Sequence, residues 1–291
     1  MKTIADAVQG RLGNGYSVKF LTVDGLNQQK RTGITITGSD RHLSPMIYLE
    51  EFIPAYISGV PLEEIADGVI QIYHEHIRDD YDTASFFDFG TMKDKIVYQL
   101  INTSKNKDYL AKIPHIPFFD LSIIFKAVVN SHVSDSFAST VIRNSHLELW
   151  NVTTEEIFTH ARENTPKLLP YEIQKMGEIV EEYSPGSLDD SMDIGAYVIT
   201  NHMRQYGCGC ILYPDALSGF ASAVGSFYMI PSSIHEFILI PEDDGKSQED
   251  LLEILHTINR DELPAEDFLS DNIYFYDKET NQITQITEVT L

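Results

Sequence analysis

The stretch Ser226–Pro241, SFYMIPSSIHEFILIP, sets two serines, a histidine and a glutamate between two apolar runs. As chemistry, Ser232 or Ser233 would be a nucleophile, with His235 as its base and Glu236 orienting the imidazole. Neighbouring residues of an extended strand point to opposite faces, so His235 and Glu236 would not face each other, and a working triad would need partners from elsewhere. As structure, Pro231 ends one strand, the serines turn the chain and Glu236 leads into FILIP as a buried strand. The expectation is a connection between strands in which Ser232, Ser233, His235 and Glu236 serve binding.

Other chemical patterns fail on their spacing. His146 and Glu148 in NSHLELW, with Cys208 and Cys210 further on, approach the zinc deaminase pattern. That pattern needs P-C-x-x-C, and here the thiols are C-x-C with no proline before them. Asn144 to His146 read instead as a strand end, with Trp150 in the core. His74 and His76 stand two apart, which on a helix aims them at nearly opposite faces. SKNK at 104–107 matches S-x-x-K without its companion elements. Neither G-x-S-x-G nor a P-loop occurs, and the glycines of GRLGNGYS precede the first strand, where a dinucleotide fingerprint would follow one. No metal or cofactor is expected. The best catalytic set is His146, His235, Glu236 and Asn144, placed where strands end.

The elements that would position these residues mix helix and strand without regular βαβ alternation. The expected class is α+β, mainly antiparallel sheets with packed helices. Residues 1–80 read as helix, hairpin, helix, helix: TIADAVQGRL, then YSVKFLTV and TGITITG about a polar turn, then PLEEIADGVIQIYHEHI after Pro45 and Pro54. KIVYQLIN reads as a strand and KNKDYLAKI as a short helix, followed by the apolar runs FFDLSIIFKAVV and FASTVIRN. TTEEIFTHAREN carries a capping signature at Thr153 or Thr154 and is expected to stop before Pro166. YEIQKMGEIVEEY reads as a helix, AYVIT and CGCILY as strands, ALSGFASAV and SQEDLLEILHTIN as helices, and NIYFYDKETNQITQI as a closing hairpin. The Pro/Gly/Ser/Asp stretch at 184–195 is the expected acidic linker, between an N-terminal region, 1–183, and a C-terminal region, 196–291. Order and spacing also suggest a repeated strand–helix–strand unit, one copy from Val97 and one from Cys210.

A chain of 291 residues can bury a sizeable core. Its net charge of −23 disfavours direct electrostatic binding to nucleic acid or anionic lipid. From Glu236 to Asp271 twelve acidic residues meet only Lys246 and Arg260. Such a face is a solubilising surface, a meeting place for a basic partner, or a nucleic-acid mimic. MKTIADAVQGRLG lacks an apolar leader core, no run approaches a membrane span, and two cysteines make no disulfide framework, so the expected compartment is the cytoplasm.

IYLEEF, KIVYQLIN, IPHIPFFDLSIIF, NSHLELWNVTTEEIFTHARENTPKLLP, ILYPDAL, YMIPSSIHEFILIP and LSDNIYFYD resemble the signatures of one bacterial family, domain of unknown function 5688, across nearly the whole chain. IPSSIHEFIL also resembles, more faintly, a second bacterial family with a Val-Pro-Ser-Arg-Asp turn before an apolar strand. The resemblance implies a cytoplasmic bacterial protein and brings no activity, cofactor or catalytic residue with it. The resulting expectation is a non-catalytic binding or assembly protein for a macromolecular, protein partner. The alternatives are a hydrolase or transferase on a small polar substrate and, behind it, an acidic nucleic-acid mimic.

Overall fold

The computed structural model describes residues 1–38, 46–76, 86–130, 138–186 and 195–287. The chain divides into two compact units, Met1–Asp88 and Phe89–Leu291.

In the first unit, helix α1 (Lys2–Leu12) precedes the antiparallel hairpin β1 (Tyr16–Asp24) and β2 (Lys30–Gly38). A short strand not foreseen from the sequence, β3 (Met46–Tyr48), adds to β2. A single-turn helix, α2 (Ile53–Ile57), leads to α3 (Leu62–His76), whose acidic first turn suits the positive end of the helix dipole. Ile4 and Val8 of α1, Ile34 and Ile36 of β2, and Ile65, Val69 and Tyr73 of α3 form its core.

Among the described residues, the second unit holds two sheets. In the smaller, β6 (Leu121–Asn130) runs antiparallel to β4 (Ile96–Asn102) on one side. Its other side pairs first with β5 (His115–Phe118) and then with β7 (Ala138–Val141), set end to end. The short helices α4 (Phe89–Met92) and α5 (Lys107–Leu110) flank β4 in sequence. Next come α6 (Asn144–Trp150) and α7 (Thr154–Leu168). The larger sheet has the order β13-β12-β10-β11-β9-β8, every neighbour antiparallel. Its strands are β8 (Tyr171–Lys175), β9 (Tyr197–Asn201), β10 (Phe227–Ser233), β11 (Glu236–Pro241), β12 (Ile273–Asp277) and β13 (Gln282–Ile286). Helices α8 (Met176–Tyr183), α9 (Ala216–Val224) and α10 (Gln248–Asp261) complete the unit. Antiparallel sheets with packed helices make the fold α+β, as expected.

Several expectations need correction. Helix α7 runs through Pro166: Thr165 Oγ1 donates to the Ala161 carbonyl (2.6 Å) and Leu169 N–H to the Thr165 carbonyl (2.8 Å), holding the turn on both sides of the proline. YEIQK is strand β8, because pairing with β9 outweighs its helical pattern, and the helix starts only at Met176. CGCILY lies in a 3₁₀ turn, Gly207–Leu212. There Gly209 faces the Tyr98 ring so closely that a Cβ would stand 3.2 Å from it. The first strand of the second supposed repeat is thus missing, and a duplication is not confirmed. Asn144 to His146 open helix α6 and do not end a strand. Of the expected linker at 184–195, residues 187–194 lie outside the described residues, so that division is neither borne out nor corrected.

Candidate functional site

The β10–β11 hairpin carries the singled-out residues. Pro231 has no N–H for the ladder, and the pairing shifts register between Ile230 and Ser233. The strand nevertheless continues to Ser233, so the turn falls on Ile234 and His235. Ser233 Oγ accepts the His235 backbone N–H (3.0 Å), and Thr200 Oγ1 donates to the His235 carbonyl (2.8 Å). Gly207 packs against this turn so tightly that a Cβ there would lie 2.6 Å from the His235 carbonyl oxygen.

Both ring nitrogens of His235 are occupied. Tyr206 N–H donates to Nδ1 at 3.1 Å, which leaves the proton of the neutral ring on Nε2. Nε2 faces Asp267 Oδ1 at 3.3 Å. The Tyr206 ring lies 5.5 Å from the imidazole, and Lys126 Nζ sits 3.7 Å from the Tyr206 centroid. Neither serine reaches a ring nitrogen: Ser233 accepts from backbone, and Ser232 Oγ faces Glu236 Oε1 at 3.4 Å. His235 therefore ties β10–β11 to Tyr206 and to Asp267, and its base lone pair is spent on a backbone amide.

Asp267 is held by its own anchors. Ile234 N–H donates to the Asp267 carbonyl (2.8 Å), and Asn102 Nδ2 to that of Leu269 (2.9 Å). Asp120, in the β5–β6 turn, accepts from Ser270 Oγ (2.6 Å), Asn272 Nδ2 (3.0 Å) and the Tyr274 hydroxyl. Phe119 beside it takes a positive φ of 54° to make that tight turn.

Ser232, Ser233, His235 and Glu236 line a groove of about 300 Å³. His235 and Glu236 share it because the hairpin turn carries them, where one extended strand would have parted them. Ile238, Ile258 and Leu263 give it apolar walls, and Glu236, Glu262 and Asp267 its acid. Burial raises the Glu236 carboxyl above its usual range, against the hydrogen bond from Ser232 and the attraction of His235 and Arg204. A second groove, of about 610 Å³, shares Ile258 and Glu262 and continues along α10 past Ile254, Glu253 and Asp250 to Lys246. Leu251, Leu252 and Leu255 bury the opposite face of α10, which leaves this one to solvent.

His146 and Asn144 do not line this groove. His146 Nδ1 accepts the Arg143 backbone N–H (3.1 Å) at the start of α6, its ring lies 5.8 Å from Trp150, and burial lowers its pKa. Asn144 Nδ2 donates to the Ala111 carbonyl (3.2 Å). Cys208 and Cys210 are buried, and burial holds both thiols protonated, Cys210 up to about 12. Among the described residues no group of three His, Cys, Asp or Glu side chains is arranged to hold a metal ion. Likewise, no helix among them is long and apolar enough to cross a membrane. Sequence reasoning missed Asp267, Tyr206, Lys126 and Glu262. None sits in a motif, and Asp267 and Glu262 were two acids among twelve.

The fold and the groove define an α+β protein with a shallow, partly apolar groove bearing Glu236, Glu262 and Asp267 beside its β10–β11 hairpin. A family model matches residues 1–278, and the chain belongs to that family, the family of unknown function DUF5688. Neither the comparison with curated proteins nor that with solved structures found a match.

Proposed function

We propose that the second unit is a docking module for a basic, partly apolar segment of a protein partner, received along the outer face of α10. The observation that carries this reading is that two neighbouring grooves share Ile258 and Glu262 in their linings, with apolar side chains and carboxylates in both. A cationic amphipathic segment would bury its apolar residues against Ile254, Ile258 and Leu263 and place lysine or arginine near Glu253, Glu262 and Asp267. The commitment of both His235 nitrogens supports binding over catalysis, since a hydrolase built on Ser232 or Ser233 would need that base free.

The test is a titration of the protein with a fluorescent helical peptide of alternating lysine and leucine faces, alongside its glutamate–leucine counterpart. The basic peptide should bind, and should weaken with salt as exposed charge pairs do. Glu253→Lys/Glu262→Lys should abolish that binding in a folded protein. Equal binding of the acidic peptide, or none lost in the double variant, would reject the reading.

A further inference from the structure

Outside the groove, the amine of Lys126 has, among the described residues, neither a counter-charge nor a hydrogen bond. Lys126 pairs across β6 and β4 with Val97, so it faces the same side of the sheet as Gln99 and stands diagonally from it. Lys126 is half-buried, and among the described residues no carboxylate or hydrogen-bond acceptor is in reach of its amine. Its one contact of note is the face of Tyr206. Gln99 is 1% exposed, and neither its Nε2 nor its Oε1 has a hydrogen-bond partner. Two neighbouring polar side chains on one face are thus short of partners, a costly arrangement in a sheet interior.

The geometry points to Lys126 as a site of Nε-acylation, with the Gln99 amide as the partner of the acyl-lysine formed. An amide on Nζ carries one N–H and one C=O, the donor and acceptor that a primary amide complements. In the step, the neutral amine adds to the carbonyl carbon of an activated acyl donor, an acyl phosphate or a thioester. The C–N bond forms, the C–O or C–S bond breaks, and phosphate or thiol leaves with the electron pair. The amine proton is released, and the lysine charge is lost. Burial favours the reacting form by lowering the amine to about 8, against the weaker pull of Cys208. Among the described residues, Tyr206 from the loop after β9 and Cys208 from the 3₁₀ turn are the titratable groups found to act on it. Val97 and Val141, its cross-strand partners, carry no charge. This inference does not depend on the docking reading.

The test exposes the whole protein to acetyl phosphate in one arm and to a small acetyl thioester in the other, and follows each lysine by peptide mass spectrometry from pH 7 to pH 10. At pH 8 Lys126 should gain acetyl about tenfold faster than the mean of the exposed lysines, since roughly half its amine is neutral against under a hundredth of an ordinary one. Its rate should level off just above pH 8. Labelling no faster than the exposed lysines in either arm, or a Lys126 rate that climbs unbroken to pH 10, would overturn the proposal. Reaction in one arm alone would identify the donor class. Gln99→Leu tests the pairing: acetylation should raise the melting temperature of the wild type more than that of the variant, and equal shifts would remove Gln99 from the account.

Discussion

His235 has a partner at each ring nitrogen. Its type and its place between two strands were legible in the sequence, but its two ring partners were not. Tyr206 and Asp267 come from loops 29 and 32 residues away, joined to the hairpin only by the fold. Glu236 beside it carries a pH dependence with a definite sign. Its folded pKa is raised by burial, so the native state holds a proton that the unfolded state has already lost as pH rises past the ordinary carboxylate range. The resulting cost is absent at low pH, grows as pH climbs from the unfolded towards the folded pKa, and is complete above it. Glu236→Gln should therefore raise the melting temperature at pH 7, with a gain that disappears below about pH 4; melting curves across pH read this directly. At Gly207 the limit is space. Gly207→Ala would push a methyl onto the His235 carbonyl and should cost about 1–3 kcal/mol in urea unfolding.

Among the elements, β4 shows what local pattern reveals and what it hides. KIVYQLIN read as a strand because it is apolar and β-branched. That its outer edge would be closed by side chains could not be read, since the closing residues are distant. Asn164 Nδ2 donates to the Ile96 carbonyl (3.1 Å), Thr165 Oγ1 accepts Tyr98 N–H (3.1 Å), Cys208 Sγ donates to the Leu100 carbonyl (3.6 Å), and Asn106 Nδ2 donates to that of Asn102 (2.7 Å). A strand edge so occupied is withheld from pairing with another chain. Thr165→Val keeps the side-chain shape, strands the Tyr98 N–H, and should cost about 1–3 kcal/mol by denaturant titration. Two helix starts were legible because capping is local, while those at Asn144 and Met176 were misread. Thr153 with Glu156 and Ser247 with Asp250 both form reciprocal caps. Ser247→Ala should lose about 1 kcal/mol. Where tertiary pairing overrode local preference, at β8 and at the 3₁₀ turn of CGCILY, the pattern misled.

For the whole molecule, composition showed an acidic chain, the order of helical and strand patterns gave the α+β class, and family membership over residues 1–278 agrees with the signatures read along the chain. Composition could not tell which of the late acids share a surface with apolar groups. That distinction rests on α10 burying Leu251, Leu252 and Leu255 and turning Glu253, Ile254 and Thr257 outward. The surface that a docked segment would occupy is built from β10, β11, α10 and the loop to Asp267 together. The most direct test of docking there is affinity capture from the native host's lysate with the wild type, with Glu253→Lys/Glu262→Lys and with His235→Ala/Glu236→Ala, each checked for folding and each run at low and raised salt. The account predicts a stoichiometric protein bearing a basic amphipathic segment, captured by the wild type at low salt and lost both at raised salt and in the folded charge-reversed variant. A partner retained equally by all three proteins, or none captured by the wild type, would contradict it.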